Sequence, residues 1–359
     1  MNASDERTYL IALTQLYRNR LRQLRQLLVH SGSARQAWEK VTDAGKAQAW
    51  EKAQSEDAFI RRHNIDVFCL NDENYPVRLR NCPDAPILLY GKGNIRANKG
   101  KMVSVVGTRS CSERGKELTR RLVLDLAAKV PDVTIISGLA YGIDIAAHRA
   151  ALEAGIPTIA IAGHGLDRIY PQYHRKEAVA ALEKGGLLTE YPSGTDPERH
   201  NFVARDRIIA GMADAVVVVE SKLRGGSLIT ARMASDYARE IFAFPGRPQD
   251  ELSQGCNLLI RDQKAGLIES ADDLMAAMMW KPEDQPANTQ TELVELDMPL
   301  DEQEKQLLQQ LRSEEEGIHI NFLVMETGAP YSTISATLTM MEMKGLVKSL
   351  PGGIYRAIR

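Results

Sequence analysis

The spacing of apolar residues changes twice along the chain. Near the N-terminus, leucines and tyrosines recur three or four positions apart, as in Leu10, Leu13 and Tyr17 and again in Leu24 and Leu28. This spacing puts apolar side chains on one face of a helix. We therefore predict a small helical domain over residues 1–66.

Between residues 67 and 280, short apolar runs alternate with helical stretches. We predict strands at Ile87 to Tyr90, Met102 to Val106, Val133 to Ser137, Thr158 to Ala162, Leu187 to Glu190, Ala215 to Glu220 and Ile241 to Phe244. The helices between them are predicted at Glu113 to Lys129, Ile143 to Ala154, Lys176 to Glu183 and Leu228 to Arg239. Apolar strands separated by helices indicate a mostly parallel sheet covered on both faces. The predicted fold class is α/β, with a doubly wound, Rossmann-like sheet that binds ligands just beyond the carboxyl ends of its strands.

The last part of the chain has a third pattern. A polar stretch with prolines follows Trp280 and predicts an acidic linker over residues 281–298. In residues 299–359 we predict three helices and then two strands joined by a Pro-Gly-Gly turn, namely Asp301 to Arg312, Ile320 to Glu326, Ser332 to Lys344, Leu346 to Leu350 and Ile354 to Ile358. Three helices followed by a hairpin are the outline of a winged helix.

The formal net charge of −2 is unevenly distributed. Residues 281–304 carry eight acidic side chains against one lysine, so the rest of the chain is positive overall. A polyanion would therefore bind in a local groove, with an affinity that falls as salt rises. A group of arginines around the second predicted helix is either a solvated face or an auxiliary DNA contact.

Two classes of protein are disfavoured by composition. No apolar stretch approaches the roughly 18 residues of a membrane span, and the N-terminus lacks the layout of a secretory signal, so we expect a cytosolic protein without a membrane partner. The four cysteines are too widely spaced for a disulfide framework, and no Cys/His cluster offers zinc ligands. We expect reduced thiols and no metal site.

The turn after the strand at 102–106 is rich in glycine and small hydroxyl residues. A helix N-terminus with free backbone N–H groups favours a phosphate, and Arg109 adds a charged guanidinium that can donate hydrogen bonds to it. The alternative is that Ser110 or Ser112 caps the helix while Gly107 forms the turn. The candidate DNA contacts here are Gly107, Thr108, Arg109, Ser110 and Ser112.

A second turn of this kind begins at Ser137 and Gly138, which are also candidate DNA contacts. On the helix that follows, Asp144 and His148 lie four residues apart. This pair resembles half a metal site or an acid/base pair, but no further ligands occur at matching spacing. A capping aspartate and a satisfied, partly buried histidine are the preferred interpretation.

The run from Arg199 to Gly211 combines three arginines with one aromatic residue. Arginines can hold phosphates while Phe202 stacks on a base, which contributes ~1–3 kcal/mol per base in single-strand binding proteins. The alternative is that Phe202 belongs to the core and the arginines are solvated. The candidates are Arg199, Phe202, Arg205 and Arg207, together with Gly226 and Ser227 at a later turn that could receive a phosphate or simply pack closely.

Motifs for cofactor enzymes are incomplete or missing. The turn after residue 161 begins a dinucleotide fingerprint, but Arg168 stands where the third glycine belongs, and no phosphate-binding loop of the G-x-x-x-x-G-K type occurs. No nucleophile, base and orienting acid form a catalytic set. We therefore predict binding without catalysis and without a cofactor.

Residues 65–275 carry a series of ordered motifs. They are Val106-Gly-Thr-Arg, Ser137-Gly-Leu-Ala-x-Gly-Ile-Asp-x-x-Ala-His, Tyr170-Pro, Glu190-Tyr-Pro, Phe202-x-x-Arg-x-Arg-Ile-Ile-Ala-Gly, Gly226-Ser-Leu-Ile-Thr-Ala, Phe244-Pro-Gly and Gly255-x-Asn-x-Leu-Ile. Together they resemble the DNA-processing protein A family, also called DprA or Smf. A helical, SAM-like segment before the core and a winged helix after it fit the three-part layout of some members.

The resemblance implies an extended Rossmann fold in a homodimer without catalytic activity. It implies that the protein binds and protects incoming single-stranded DNA during natural transformation and loads the RecA recombinase onto it. Family DNA contacts would carry over to Arg109, Arg199, Phe202, Arg205 and Arg207.

Two features depart from the family pattern. Asp206 replaces the usual asparagine and puts a carboxylate beside the proposed groove, which weakens phosphate attraction unless an arginine pairs with it. The presumed recognition helix of the winged helix has few cations, since Glu342 and Lys344 nearly cancel. Protein contact is therefore at least as good an assignment for that domain as groove reading.

Two other functions remain open from the sequence. One is a nucleoside-monophosphate-processing enzyme of the lysine-decarboxylase-like Rossmann group, although Arg232 stands where that group has its glutamate. The other is a scaffold that recruits recombinase and touches DNA only indirectly. For the dimer, the candidate patch is Leu258, Leu259, Ile260 and Leu267, which a buried closing helix would explain equally well.

Overall fold

The computed structural model describes residues 3–18, 20–280, 301–314 and 317–358. The whole of the predicted linker at 281–298, and with it that prediction, lies outside the described residues. The N-terminal helices are α1 (Ala3–Leu16), α2 (Leu21–Ser31), α3 (Ala34–Lys40) and α4 (Lys46–His63). Their apolar faces meet in one core, which also takes in side chains of the adjoining sheet such as Leu88 and Tyr90.

The central part alternates strands and helices as predicted. In chain order the elements are β1 (Asp66–Cys69), α5 (Val77–Arg80), β2 (Leu88–Gly93), β3 (Met102–Val106), α6 (Glu113–Lys129), β4 (Thr134–Ser137), α7 (Ile143–Glu153), β5 (Thr158–Ile161), α8 (Arg175–Ala181), β6 (Gly186–Thr189), α9 (Arg199–Met212), β7 (Ala215–Val218), α10 (Ser227–Asp236), β8 (Glu240–Ala243), α11 (Gln254–Arg261), β9 (Gly266–Leu267) and α12 (Ala271–Ala277). Each predicted strand and helix of this region is present, and α6 has the predicted bounds.

Within the described residues these strands form one sheet in the order β1-β2-β6-β5-β4-β3-β7-β8-β9. β1 and β2 pair antiparallel at one edge, and the ladder from β6 to β9 is parallel. Helices cover both faces with two apolar cores. The prediction of a mostly parallel, doubly wound sheet is confirmed.

The strand order reverses between β3 and β7. The chain moves from β3 outward through β4 and β5 to β6, then crosses back along α9 to β7 and continues to the other edge. Such a reversal leaves a crevice at the carboxyl ends of the two central strands, where open α/β sheets bind their ligands. We call this side of the sheet, with the loops that follow β3, β4, β5 and β7 and the N-terminus of α9, the carboxyl rim.

The N-terminal helices are fastened to a loop that leads into the carboxyl rim. Both carboxylate oxygens of Glu56, on α4, accept hydrogen bonds from the backbone N–H of Ser193, at 2.9 and 3.0 Å, and one also accepts from the Ser193 hydroxyl. Glu56 is buried, and its burial raises the pKa of the carboxyl while the bonds from Ser193 oppose that rise. Ser193 lies six residues before Arg199, where α9 begins.

The C-terminal part forms the predicted winged helix. Its elements are α13 (Glu302–Arg312), β10 (Ile318–His319), α14 (Ile320–Thr327), α15 (Tyr331–Met343), β11 (Val347–Leu350) and β12 (Ile354–Ala357), with a sheet ordered β10-β12-β11. The domain touches the central sheet away from the carboxyl rim, because Gly352 donates its backbone N–H to Glu240 at the start of β8. Among the described residues no helix is long and apolar enough to cross a membrane.

Candidate nucleic-acid interface

Arg109 lies in the loop that follows β3, at the centre of the carboxyl rim. The loop is held against α7 because Ile143 donates its backbone N–H to the Thr108 carbonyl at 3.3 Å. Gly142, at φ +80°, makes this approach possible, since a side chain there would collide with Thr108. A Cβ on Gly107 would likewise collide with Ile143. Both glycines therefore serve loop packing, and this packing leaves the Arg109 side chain exposed.

Phe202 is the aromatic centre of the rim. Its half-buried ring lies 5.7 Å from the Arg109 guanidinium carbon and 5.8 Å from that of Arg205, both measured to the ring centroid. The ring of Tyr170, from the loop after β5, lies 5.6 Å away at an angle of 31°. Gly163 allows this packing, because a Cβ there would come within 2.9 Å of the Phe202 ring. The partly exposed ring thus has cations and a second aromatic as neighbours.

Arg199 lies one helical turn before Phe202 at the N-terminus of α9. Its side chain is exposed, and no side chain caps this helix end. Among the described residues, neither Arg199 nor Arg109 forms an ion pair with a carboxylate. One of these unpaired cations, Arg109, lies beside the Phe202 ring, and the other, Arg199, lies at the N-terminus of the same helix, where the positive end of the α9 dipole adds to its field.

Arg205 turns inward, which corrects the expectation that it holds a phosphate. Its side chain is 3% exposed, and it donates a 2.7 Å hydrogen bond to the Ile161 carbonyl. It also forms an ion pair with Asp206 at 3.1 Å. Arg205 supports the Phe202 ring from below and does not reach the surface, and the carboxylate of Asp206 is partly neutralised by it.

Arg207 is also engaged inside the fold rather than at the rim. It forms an ion pair with Glu190 and donates a 2.6 Å hydrogen bond to the Asp84 carbonyl. Burial raises the pKa of the Glu190 carboxyl, and the Arg207 charge opposes that rise. This corrects the expectation of a DNA contact at Arg207, because its guanidinium ties α9 to the segment before β2.

A carboxylate of the protein fills the helix N-terminus after β3. Ser112 donates its backbone N–H to Glu220 at 2.9 Å and its hydroxyl to the same carboxylate, and it caps α6 by accepting from Gly115 at 3.0 Å. The α6 N-terminus is therefore not free for a phosphate as predicted, and the capping alternative holds for Ser112. Thr108 and Ser110 remain at the surface of the loop, half-buried and exposed respectively.

Three further predicted DNA contacts face the interior, because each has a partner there. The hydroxyl of Ser137 donates to Val105 at 2.7 Å, and that of Ser227 to Ser221 at 2.9 Å. Gly138 lies so close to Arg205 that any side chain would collide with it. Gly226, in contrast, is exposed at the N-terminus of α10, which no side chain caps.

Asp144 and His148 both lie inside the fold, but the structure corrects the preferred interpretation. Asp144 does not cap α7, whose N-cap residue is Gly142, and His148 is fully buried, with no hydrogen-bond partner for its Nε2 among the described residues. Burial raises the pKa of the Asp144 carboxyl, while the Arg205 charge and the backbone N–H groups of Ala140 and Gly138 oppose that rise. His148 is buried with its Nδ1 2.7 Å from the Thr158 hydroxyl, and burial lowers its pKa to about 3. Among the described residues no group of His, Cys, Asp and Glu could hold a metal ion.

The candidate dimer residues do not form one exposed patch. Leu259 is buried in the core beneath α11, and Ile260 packs partly against the same core. Leu258 is half-buried, and Leu267 is exposed on the edge strand β9. The closing-helix alternative therefore accounts for the buried Leu259, while the assignment of Leu258, Ile260 and Leu267 to a dimer surface stays a prediction.

The described residues form a doubly wound α/β protein with a cationic, aromatic carboxyl rim and an appended winged helix. Family models matched to the sequence identify the family. The chain belongs to the DNA recombination-mediator protein A family, whose model matches residues 66–279, and the DprA winged helix domain model matches residues 286–353.

Individual relatives agree with this assignment. DNA processing protein DprA of Streptococcus pneumoniae is 40% identical over 62% of this chain and 78% of its own length, and Protein Smf of Escherichia coli is 35% identical over 85% and 81%. The solved structure of the S. pneumoniae protein matches with a TM-score of 0.59, at 38% identity over 67% of this chain and 84% of its own. A structure described as showing the single-stranded DNA binding mode of DNA processing protein A from Helicobacter pylori matches with a TM-score of 0.54, at 29% identity over 60% and 95%.

Proposed function

We propose that this protein binds single-stranded DNA at the carboxyl rim without reading its sequence. One observation carries the proposal: the half-buried Phe202 ring lies 5.7 Å from the guanidinium of Arg109, which is exposed and has no carboxylate partner among the described residues. An unpaired base can stack on such a ring while the cations hold the adjoining phosphates. The relative from H. pylori, whose structure is described by its single-stranded DNA binding mode, supports the choice of ligand.

In this mechanism each component of the rim has a separate task. Arg109 and Arg199 attract phosphates, and the uncapped N-termini of α9 and α10 offer backbone N–H groups to them. Phe202 holds a base, and buried Arg205 keeps the ring in place from below. Because the contacts go to phosphates and to the flat face of a base, sequence preference is slight and binding weakens with salt.

The proposed cellular role follows the family. The protein protects incoming single-stranded DNA in the cytosol during natural transformation and loads the RecA recombinase onto it, as a homodimer and without catalysis. The winged helix contributes protein contacts in this proposal, since the exposed face of α15 carries Ser332, Thr339 and Met340 and no arginine.

The test is a mobility-shift titration of Arg109→Ala and Phe202→Ala with a single-stranded oligonucleotide at several salt concentrations. Both variants should bind more weakly, and Arg109→Ala should also reduce the salt dependence by about one phosphate. Arg121→Ala is the matched control, because Arg121 is exposed on α6, where its Nε lies 3.8 Å from the Asp125 carboxylate. Unchanged binding in both rim variants would refute the proposal.

The alternative function, a nucleoside-monophosphate-processing enzyme, can be tested directly. The protein is incubated with AMP, and the release of adenine is measured. Arg232 is exposed on α10, where the competing group has a glutamate, so the acid for that chemistry is missing at this position. Release of adenine would overturn the non-catalytic proposal.

A further inference from the structure

Three exposed tyrosines stand on the loops that follow β4 and β5. Tyr141 is 44% exposed, Tyr170 is 47% exposed and Tyr173 is 86% exposed. Aromatic rings usually bury most of their surface, so three large rings open to solvent at one edge of the sheet indicate a binding surface. Only Tyr170 contacts Phe202 directly, at 5.6 Å between ring centroids.

Tyr141 is held in place by its surroundings rather than loosely attached. Its ring meets that of His174 edge to face, with the centroids 4.8 Å apart. His174 is buried, and its Nδ1 donates to the Leu139 carbonyl at 2.7 Å, so the histidine is fixed to the loop that carries Tyr141. The next residue, Gly142, is packed against the backbone of Arg109.

These contacts join the tyrosines to the Phe202 centre. Phe202 stacks on Tyr170, and Tyr173 follows three residues later in the turn that also holds His174. His174 contacts Tyr141, which adjoins the Arg109 loop through Gly142. Ring contacts and short chain connections thus link the loops after β4 and β5 to both sides of the Phe202 centre, with Tyr173 at the far side of this row.

Cations accompany this row. Arg175 and Lys176 directly follow His174, and both are exposed. Within the part of the chain that the structure describes, neither forms an ion pair, whereas the nearby Arg149 is paired with Glu177 at 2.8 Å. Exposed rings beside free cations are the combination that binds unpaired nucleotides.

We propose that Tyr141 and Tyr173 form a second base-stacking subsite, which takes unpaired nucleobases of the same DNA strand that Phe202 engages. Arg175 and Lys176 hold the phosphates of this part of the strand. The inference rests on the proposed function and extends it, because the strand continues from the Phe202 centre toward α8. The class of ligand is any unpaired base, since stacking on a tyrosine face does not distinguish sequence.

The experiment measures the affinity of Tyr141→Ala and Tyr173→Ala for two oligothymidines, one of about 4 and one of about 20 nucleotides, in the range of single-strand site sizes. Each variant should bind the long oligonucleotide at least about fivefold more weakly and the short one as well as the original protein does. Tyr141→Phe and Tyr173→Phe keep the ring and should bind normally. Val77→Ala, at an exposed position on α5, is the control for an unrelated surface change.

The outcomes separate this inference from the proposed function. If the tyrosine variants bind the long oligonucleotide normally while Phe202→Ala binds it weakly, the second subsite is refuted and the first stands. Equal losses on both lengths would place the tyrosines in the Phe202 site itself and also refute a separate subsite. If Arg109→Ala and Phe202→Ala have no effect on either length, the proposed function fails first.

A fluorescence measurement adds an independent readout. Tyr141→Trp and Tyr173→Trp should each show a DNA-dependent quench when a base stacks on the new indole. Val77→Trp, on α5, gives the background for a tryptophan placed outside the row. A quench no larger than that of Val77→Trp would count against the subsite.

Discussion

Glu220 directs its carboxylate at the N-terminus of α6, where it accepts a hydrogen bond from the backbone of Ser112 at 2.9 Å. The two residues are far apart in sequence, and their contact joins the loops that follow β3 and β7, the two strands at the reversal of the sheet. The protein thereby places its own anion where a phosphate was expected. In the proposed mechanism, Arg109 and not the helix end beside it attracts the DNA backbone at this loop.

Removing this internal anion should destabilise the fold. Glu220→Ala leaves the Ser112 N–H and hydroxyl without their acceptor, and a hydrogen bond to a charged group contributes ~1.5–3 kcal/mol. Glu220→Gln keeps an acceptor oxygen, so its free energy of unfolding should fall by less than that of Glu220→Ala. Urea unfolding monitored by circular dichroism measures both, and equal stability of Glu220→Ala and the original protein would contradict the capping role.

Arg205 and Arg109 should give opposite results when each is replaced by alanine. Arg205→Ala leaves the carboxylate of Asp206 without its ion-pair partner and removes the charge that opposes the raised pKa of Asp144, and breaking a buried pair in this way costs ~3–5 kcal/mol of folding free energy. Arg109→Ala removes an exposed cation and should leave the unfolding midpoint nearly unchanged while DNA binding weakens. A stable Arg205→Ala with selectively weakened binding would restore Arg205 as a direct DNA contact.

Asp206 should make stability fall as the pH rises from about 4 to 6. Burial raises the pKa of its carboxyl from the ordinary 3.8 to about 6, and the Arg205 charge opposes that rise. The folded state therefore holds this proton more tightly than the unfolded state does, so the contribution is favourable below the unfolded pKa and is lost as the pH passes the folded pKa. One pKa unit corresponds to about 1.4 kcal/mol, so the effect amounts to a few kcal/mol at most.

The measurement compares the original protein with Asp206→Asn by chemical denaturation from pH 4 to 8. The free energy of unfolding of the variant should rise relative to that of the original protein across the window from 4 to 6 and stay constant above it. Taking the difference cancels the other titrating groups, such as His148. A difference that does not change with pH would mean that the carboxyl of Asp206 titrates normally.

The order of the elements was largely predictable from the sequence, because each apolar run is itself strand-sized or helix-sized. The bounds of α6 at Glu113 and Lys129 agree with the prediction. β1 and β9 were not predicted. They are four and two residues long, too short to show a strand pattern, and they are recognised as strands only by their pairing with β2 and β8. α9 was not predicted as a helix, because its arginines interrupt the apolar spacing until their partners in the fold are known.

The site was predictable at the level of loops but not of side-chain direction. The sequence grouped Arg109, Arg199 and Phe202, and the structure brings the Arg109 and Phe202 side chains into contact. The sequence could not show that Arg205 and Arg207, on the same helix, point inward. Their hydrogen-bond acceptors come from β5 and from the segment before β2, which are distant in sequence. Glu220 was missed for the same reason.

The Ser193 backbone N–H donates to both carboxylate oxygens of Glu56, and this contact links the N-terminal helices to the segment that leads into Arg199 and Phe202. A protein shortened to begin at residue 64 would lose this contact. It would also expose to solvent the apolar side chains of β2 that pack against the N-terminal helices, among them Leu88 and Tyr90. Cutting the chain between the N-terminal helices and the sheet therefore also releases the loop before α9, which carries Arg199 and Phe202. The N-terminal helices thus help to position the proposed DNA-binding residues without being part of the carboxyl rim.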